Sequence, residues 1–212
     1  MAKTKQSVEL LKSLIDYYPK NKCELNFSTP YELLVAVILS AQCTDKRVNS
    51  VTEKLFKLAN TPETMLLLGE DKLREIIKPC GFFNNKAKSI IGASRNLIEK
   101  FNSIVPRTRE ELLSLDGVGE KTASVVLAVA FSVPAIAVDT HVFRLSKRLR
   151  LANKKTPTET MHSLEKIIPR ELWINGHFAL VLHGRYVCKA QRPKCDECII
   201  ASGCPSFKKI KK

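Results

Sequence analysis

Two helical patterns are joined by the segment Leu115-Asp116-Gly117-Val118-Gly119-Glu120-Lys121-Thr122. Its glycines, two positions apart, allow a tight turn and bring backbone N–H groups close to an anion. The N-terminus of the second helix adds partial positive charge at the same place. The segment therefore predicts a helix–hairpin–helix that can hold a phosphate without reading bases. A plain glycine-rich turn between two helices is the alternative.

Two side chains near the hairpin are candidates for chemistry. Lys121 falls in the first turn of the second helix, where a positive charge is unfavourable. This position, with partial burial, favours an uncharged amine that can act as a nucleophile; a surface lysine that contacts a phosphate is the alternative. Asp139 follows an apolar connector and precedes a helical segment. We expect it to cap that helix or to hold its carboxylate near an amine or a developing cation.

The rest of the chain has a helical hydrophobic pattern almost throughout. Apolar residues between Val8 and Tyr18 fall on one helical face, and Pro19 is expected to end that helix. The stretch 33–41 is apolar on all sides, which predicts a central buried helix. Residues 135–138 could be extended, but no nearby segment would pair with them. Helix starts with a capping box are predicted at three threonines: Thr29, Thr108 and Thr156. We expect an all-α protein of about nine or ten helices.

Composition adds a strong positive charge to this helical pattern. The 212 residues include 35 Lys and Arg against 21 Asp and Glu, a net charge of +14. Residues 139–155 and residues 189–212 each carry a net of +5, which favours a face that binds a polyanion, with nucleic acid as the first candidate. The longest uncharged run, 122–138, is too short to span a bilayer and contains Pro134. Without a secretory signal, the protein is expected in the cytoplasm, associated with the nucleoid.

Four of the seven cysteines crowd near the C-terminus with the spacing C-x6-C-x2-C-x5-C: Cys188, Cys195, Cys198 and Cys204. In a reducing compartment such a group indicates metal binding rather than disulfides. Zinc accepts four thiolates but usually has two paired Cys-x-x-Cys knuckles. An iron–sulfur cluster also suits thiolates with uneven spacing. Spacing alone leaves both metals open. The other cysteines, Cys23, Cys43 and Cys80, are expected to pack as small apolar residues.

These features occur together with Leu39-Ser40-Ala41-Gln42-Cys43-Thr44-Asp45, Val138-Asp139-Thr140-His141-Val142 and His183-Gly184-Arg185-Tyr186-Val187-Cys188. The combination resembles the endonuclease III family of the helix–hairpin–helix glycosylase superfamily, from about residue 7 to residue 206. The resemblance implies two helical lobes with a DNA cleft between them. One is a six-helix bundle, 23–134, with the helix–hairpin–helix at 108–133. The other joins 1–22 to 135–212 and holds a [4Fe-4S] cluster on the four cysteines.

The resemblance also implies roles for single residues. Lys121 matches the nucleophile and Asp139 the catalytic carboxylate. Gln42 matches a residue that fills the gap left by an extruded base, and Phe82 lies where the family places an apolar wedge. His183 and Arg185 are expected to pack and to support the cluster. Further DNA contacts are expected from the loop after Gln42, from the hairpin and from the cluster loop: Asp45, Gly117, Val118, Gly119, Lys189, Arg192 and Lys194.

The implied activity is that of a monomeric bifunctional DNA glycosylase. It would remove oxidised pyrimidines from double-stranded DNA and cleave 3′ to the abasic site by β-elimination, through a Schiff base on Lys121. Two positions depart from the family pattern, since Asp116 stands where Pro is common and Glu120 where a basic residue is frequent. Two carboxylates beside the hairpin should weaken its hold on a phosphate.

Two other functions remain open at the level of sequence. An adenine-type DNA glycosylase without lyase activity shares the cysteine spacing, but it usually lacks the hairpin lysine and carries an extra C-terminal domain. A non-catalytic iron–sulfur DNA-binding module explains the charge and the cysteines but leaves Lys121 and Asp139 without a role. The hairpin lysine favours the bifunctional enzyme.

Overall fold

The structure is a computed structural model that describes residues 2–18 and 23–207, with side chains from residue 5 onward. This part of the chain contains no β-strand, so the all-α prediction is confirmed. Three short 3-10 helices cover Lys78–Cys80, Arg170–Leu172 and Cys195–Glu197. The α-helices are α1 (Ala2–Tyr17), α2 (Pro30–Ser40), α3 (Asp45–Leu58), α4 (Pro62–Leu68), α5 (Glu70–Ile77), α6 (Phe83–Phe101), α7 (Arg109–Leu113), α8 (Glu120–Ala130), α9 (Thr140–Arg148), α10 (Pro157–Ile167) and α11 (Trp173–Tyr186).

The described residues form eleven α-helices, more than the nine or ten expected. One cause is Gly69, which adopts a left-handed φ of 79° between α4 and α5. A residue in this conformation interrupts the α-helical hydrogen-bond pattern. The expected helix end at Pro19 and the lysines beyond residue 207 lie outside the described residues.

The chain divides into two compact units, and the first consists of Cys23–Val133. Its central helix is α2, which packs against α3, α6 and α8. Every residue of α2 from Tyr31 to Leu39 is buried, as its apolar sequence predicts. Thr29 begins α2 by accepting a hydrogen bond from the N–H of Glu32 at 3.1 Å, and the carboxylate of Glu32 accepts one from the N–H of Ser28. The start of α2 therefore follows from its capping residues, and its burial follows from its apolar sequence.

The second unit consists of Met1–Lys22 with Pro134–Lys212. In it α11 packs against α1 and α9 around a core that includes Leu14, Leu145 and Leu180. The connector 135–138 is extended and buried without a strand partner. Buried His177 donates from Nδ1 to the carbonyl oxygen of Ala137 at 2.9 Å. This bond replaces part of the pairing that a strand would provide and holds the connector in front of Asp139.

Within the described residues, no helix combines the length and the apolar character that a bilayer span requires.

Candidate active site and cluster loop

The predicted hairpin between α7 and α8 is present. The N–H of Val118 donates to the carbonyl oxygen of Leu115 at 3.1 Å, which closes a tight turn. Gly117 adopts a left-handed φ of 72°, and a Cβ atom there would lie 2.2 Å from Cβ of Ser89 on α6. Gly119 caps α8 with its backbone alone, and a Cβ atom there would meet nothing within 4 Å. The hairpin therefore packs tightly against α6 at Gly117, whereas the space around Gly119 is open.

The hairpin residues expected to contact DNA differ in their exposure to solvent. Val118 is buried and its N–H is used within the turn, so it anchors the hairpin from inside. Gly119 is exposed at the N-terminus of α8, where backbone N–H groups and the helix dipole favour an anion. The exposed end of the hairpin is thus the part that a phosphate can approach.

Lys121 lies in the first turn of α8, as expected, but its side chain is exposed. The expectation of partial burial was therefore wrong. Its amine is directly accessible to a molecule that approaches the hairpin from solvent.

Protein groups lie close to both residues that depart from the family pattern. The side chain of Asp116 lies against Gly92 of α6, and its backbone N–H donates to Oδ1 of Asn96 at 2.9 Å. Oε2 of Glu120 lies 3.8 Å from the guanidinium of Arg109, and both side chains are partly buried. Arg109 therefore offsets part of the negative charge that Glu120 brings to the hairpin.

Gln42 and Phe82 lie on separate loops of the first unit. We call them the Gln42 loop (residues 41–44, after α2) and the Phe82 loop (residues 78–82, before α6). Both residues adopt left-handed backbone conformations, with φ of 52° and 47°. Gln42 is exposed, and the large apolar ring of Phe82 is 64% exposed. Such conformations cost of order 1–3 kcal/mol each and cluster at functional sites.

Asp45 is the first residue of α3, directly after the Gln42 loop. The N-cap of this helix is Thr44, whose hydroxyl accepts from the N–H of Arg47. Asp45 is partly buried and adds negative charge to the first turn of α3, where a carboxylate is favourable. Its position is explained by the helix it begins, and its expected contact with DNA stays a prediction.

The sequence analysis missed Lys86, a buried lysine that joins the end of α2 to the Phe82 loop. Its ammonium donates to the carbonyl oxygens of Leu39, at 2.9 Å, and Cys80, at 2.8 Å. Burial lowers the pKa of Lys86. The signal was present in the sequence, because Lys86 lies four residues before Ile90 on the apolar face of α6.

Asp139 is the N-cap residue of α9, as expected. Its Oδ1 accepts from the N–H of Val142 at 2.8 Å, and its side chain is half-buried. The bond orients the carboxylate at the end of the connector that His177 holds.

The cluster loop (residues 188–204) brings the four cysteines to one pocket. The pocket is also lined by Leu149, His183 and Ile200. Among the residues described, no three or more His, Cys, Asp or Glu side chains converge closely enough for a single metal ion. Four cysteine thiols around one pocket are the donor set of an iron–sulfur cubane, so the lining fits such a cluster.

Buried and basic side chains contact the sulfur atoms of this loop. Nη1 of Arg148 lies 3.2 Å from Sγ of Cys188, and Nε2 of His183 lies 3.5 Å from Sγ of Cys198. Nδ1 of His183 faces the hydroxyl of Tyr18 at 3.5 Å. Burial lowers the pKa of His183 to about 4, so the ring is neutral at neutral pH. His183 thus supports the loop, as expected.

Two arginines of the basic stretch 139–155 form hydrogen bonds with the protein backbone. Arg144 donates to the carbonyl oxygens of Gly184, at 2.8 Å, and Cys188, at 3.2 Å. Arg148 donates to those of Lys189, at 2.7 Å, and Ala190, at 3.2 Å. These two arginines of the basic stretch therefore have backbone partners within the protein, and the binding face stays a prediction. On the loop itself, Lys189, Arg192 and Lys194 are all exposed, and Lys194 pairs with Glu197 at 2.9 Å.

Two protein-family models match the chain, one over the hairpin region and one over the cluster loop. The model of the HhH-GPD superfamily base excision DNA repair proteins matches residues 35–170, which include the hairpin and Asp139. The chain belongs to this superfamily. The iron-sulfur binding domain of endonuclease III matches residues 188–204, from the first to the last cysteine of the loop.

Relatives of this HhH-GPD protein match it over nearly their whole length. Endonuclease III of Haemophilus influenzae is 50% identical over 210 residues, which cover 99% of each chain. Endonuclease III of Escherichia coli K12 is 46% identical over 96% of each chain. Two solved structures, a non-covalent endonuclease III–DNA complex and a trapped endonuclease III–DNA covalent intermediate, superpose with TM-scores of 0.93 and 0.94. Each is 44% identical and covers 99% of both chains.

These matches confirm the main expectations drawn from the sequence. The protein is a DNA glycosylase with abasic-site lyase activity that acts in base excision repair. Its cofactor is a [4Fe-4S] cluster. The adenine-type glycosylase and the non-catalytic module are not favoured, because the relatives that match the whole chain are endonuclease III proteins.

Proposed function

We propose that Lys121 is the nucleophile of this glycosylase and lyase. The observation that carries the proposal is the placement of an exposed amine in the first turn of α8, directly behind an open phosphate-binding hairpin. A relative trapped as a covalent intermediate with DNA supports a mechanism that forms a protein–DNA bond. The substrate is double-stranded DNA that contains oxidised pyrimidines or abasic sites, and the protein acts as a monomer.

The reaction begins when the uncharged amine of Lys121 attacks C1′ of the deoxyribose. The C1′–N bond to the base breaks and its electrons leave with the base, which takes up a proton. Opening of the sugar ring gives an iminium between Nζ and C1′, which acidifies the C2′ protons. Removal of one of them expels the 3′ phosphate by β-elimination, and water then releases the lysine.

Asp139 assists this sequence through its fixed carboxylate. We propose that it accepts a proton from the ammonium of Lys121, which frees the amine for attack, and that it stabilises positive charge that develops on the sugar. The hydrogen bond from the N–H of Val142 already holds its Oδ1 in place, so little reorganisation is needed.

The hairpin and the two loops of the first unit make the target base accessible. The N-terminus of α8 near Gly119 holds a backbone phosphate. Gln42 fills the space that the extruded base leaves, and Phe82 inserts its exposed ring into the stack. Extrusion costs a few kcal/mol, and these two side chains offset part of it.

The cluster loop contributes charge for binding. Lys189, Arg192 and Lys194 contact phosphates on a loop without regular structure beyond one short 3-10 helix. When bound, the [4Fe-4S] cluster links four thiolates and fixes the backbone that carries these cations. Arg148 and His183 are placed to donate hydrogen bonds to two of the thiolates.

Borohydride trapping on a duplex with one abasic site tests the nucleophile. Reduction of the Schiff base should give a covalent protein–DNA adduct with the wild-type protein. Lys121→Ala should give no adduct, because no amine remains at this position. Lys57→Ala is the matched control, since Lys57 is an exposed lysine on α3 in the same unit. An adduct that persists in Lys121→Ala would assign the nucleophile to another residue.

A further inference from the structure

Two cysteines outside the cluster loop lie together in the first unit. Cys43 belongs to the Gln42 loop and Cys80 to the Phe82 loop, and the two thiols lie close enough to interact electrostatically. Both are free thiols. Cys80 is only 1% exposed, whereas Cys43 is partly exposed. The pair thus consists of one thiol that a small molecule can reach and one that is shielded behind it.

The backbone on both sides of this pair is held by cations. The ammonium of Lys86 bridges the carbonyl oxygens of Leu39 and Cys80. Nη1 of Arg47 donates to the carbonyl oxygen of Pro79 at 3.5 Å. The N–H of Cys43 donates to the carbonyl oxygen of Ser40 at 3.1 Å. These bonds hold the Phe82 loop beside the end of α2, which leads into the Gln42 loop, so the two thiols stay near each other.

The two thiols differ in reactivity. Burial raises the pKa of the Cys80 thiol to about 11, which keeps it protonated at neutral pH. Since a thiolate is the nucleophile towards peroxide, oxidation starts at the accessible Cys43.

We propose that Cys43 and Cys80 form a reversible disulfide that locks the Gln42 loop to the Phe82 loop and slows base excision. The oxidant is a peroxide. The Cys43 thiolate attacks one peroxide oxygen, the S–O bond forms, and the O–O bond breaks to release water after protonation. The Cys80 thiol then attacks the Cys43 sulfur, forms the S–S bond and displaces the hydroxyl group as water. In total, two thiols lose two electrons and hydrogen peroxide becomes two water molecules.

The effect on excision rests on the proposed function, in which Gln42 and Phe82 enter the DNA. A disulfide bond draws the sulfur atoms closer than two non-bonded thiols can approach and moves both loops with them. Cys43 directly follows Gln42, and Cys80 lies two residues before Phe82. A shift of about 1 Å in groups that set the reacting geometry can cost up to roughly a hundredfold in rate. We therefore expect excision to slow by about ten- to a hundredfold.

Peptide mapping tests bond formation without reference to activity. The holoenzyme is treated with hydrogen peroxide at a dose that leaves the visible absorbance of the cluster unchanged. Free thiols are then alkylated and the protein is cut with trypsin. The expected product joins peptides 23–46 and 75–86 and, with Cys23 alkylated in the wild-type protein, is two hydrogen atoms lighter than the sum of the two peptides so modified. It should form in the wild-type protein and in Cys23→Ala, but not in Cys43→Ala or Cys80→Ala. Oxidation of Cys43 to a sulfinic acid without the linked peptides would overturn the proposal.

Excision assays on the same samples test the consequence. The oxidised wild-type protein should slow by about ten- to a hundredfold and recover with dithiothreitol, whereas oxidised Cys43→Ala should keep the rate of its reduced form. A linked protein that excises as fast as the reduced protein would overturn the proposed effect. Failure of the proposed nucleophile is a separate result, because reduced wild-type protein would then give no borohydride adduct that depends on Lys121.

Discussion

Gly117 and Gly119 lie two positions apart in the hairpin, yet alanine should affect them in different ways. At Gly117 a Cβ atom would lie 2.2 Å from Cβ and 2.4 Å from Oγ of Ser89, and φ is 72°. The left-handed conformation costs an alanine about 1–2 kcal/mol, and overpacking against α6 costs roughly another 1–3 kcal/mol. Gly117→Ala should therefore lower the free energy of unfolding by about 2–5 kcal/mol.

Gly119→Ala is the matched control because it adds the same methyl group without a clash. A Cβ atom there would meet nothing within 4 Å, and φ is −100°. Loss of a glycine at the N-cap costs about 0.5–1 kcal/mol. The new methyl group, however, would stand where a phosphate approaches α8. Gly119→Ala should therefore bind DNA more weakly, and its small loss of folding stability should not account for the whole effect.

Denaturant unfolding followed by far-ultraviolet circular dichroism measures the stability of both variants, and fluorescence anisotropy with a labelled abasic duplex measures affinity. The expected result is a large loss of stability for Gly117→Ala and a loss mainly of affinity for Gly119→Ala. Equal stability losses in the two variants would refute the close packing of the hairpin on α6. Unchanged affinity in Gly119→Ala would refute phosphate binding at the N-terminus of α8.

Three further predictions concern the second unit. Asp139→Asn should keep the cap and stay within about 0.5 kcal/mol of wild-type stability while it loses turnover, whereas Asp139→Ala should also lose about 1 kcal/mol of stability, as urea unfolding would show. Arg148→Gln should lose the visible absorbance of the cluster faster on dilution, with Lys147→Ala as the exposed neighbouring control. Lys189→Gln and Arg192→Gln should each weaken DNA binding and reduce the slope of log affinity against log salt by about 1; an unchanged slope would contradict their phosphate contacts.

Features set by short stretches of chain could be predicted from the sequence. Thr29 and Thr156 begin α2 and α10 through bonds to residues three positions later, so the capping signal is complete in four residues. The hairpin glycines were recognisable for the same reason, since a turn closes between Leu115 and Val118. The four cysteines lie within 17 residues, and their spacing was enough to predict a metal-binding loop.

Features that depend on distant residues could not be predicted in this way. The connector 135–138 is stabilised by His177, forty residues later. Arg144 and Arg148 appeared to belong to a basic binding face, but their partners lie forty or more residues away, in the backbone of 184–190. The exposure of Lys121 likewise depends on which neighbours cover α8. A sequence pattern gives the type of side chain on a helix face but not the group that it meets.

Helix α6 shows how one element serves several parts of the proposed site. Lys86 bonds to the backbone of the Phe82 loop and to the end of α2. One turn later Ser89 supports Gly117, and further along Gly92 and Asn96 receive the side chain and the N–H of Asp116. These positions are three or four residues apart, so they follow one stripe of the helix. The hairpin and the Phe82 loop are thus positioned by the same rigid element, and a change on this stripe should disturb phosphate binding and base extrusion together.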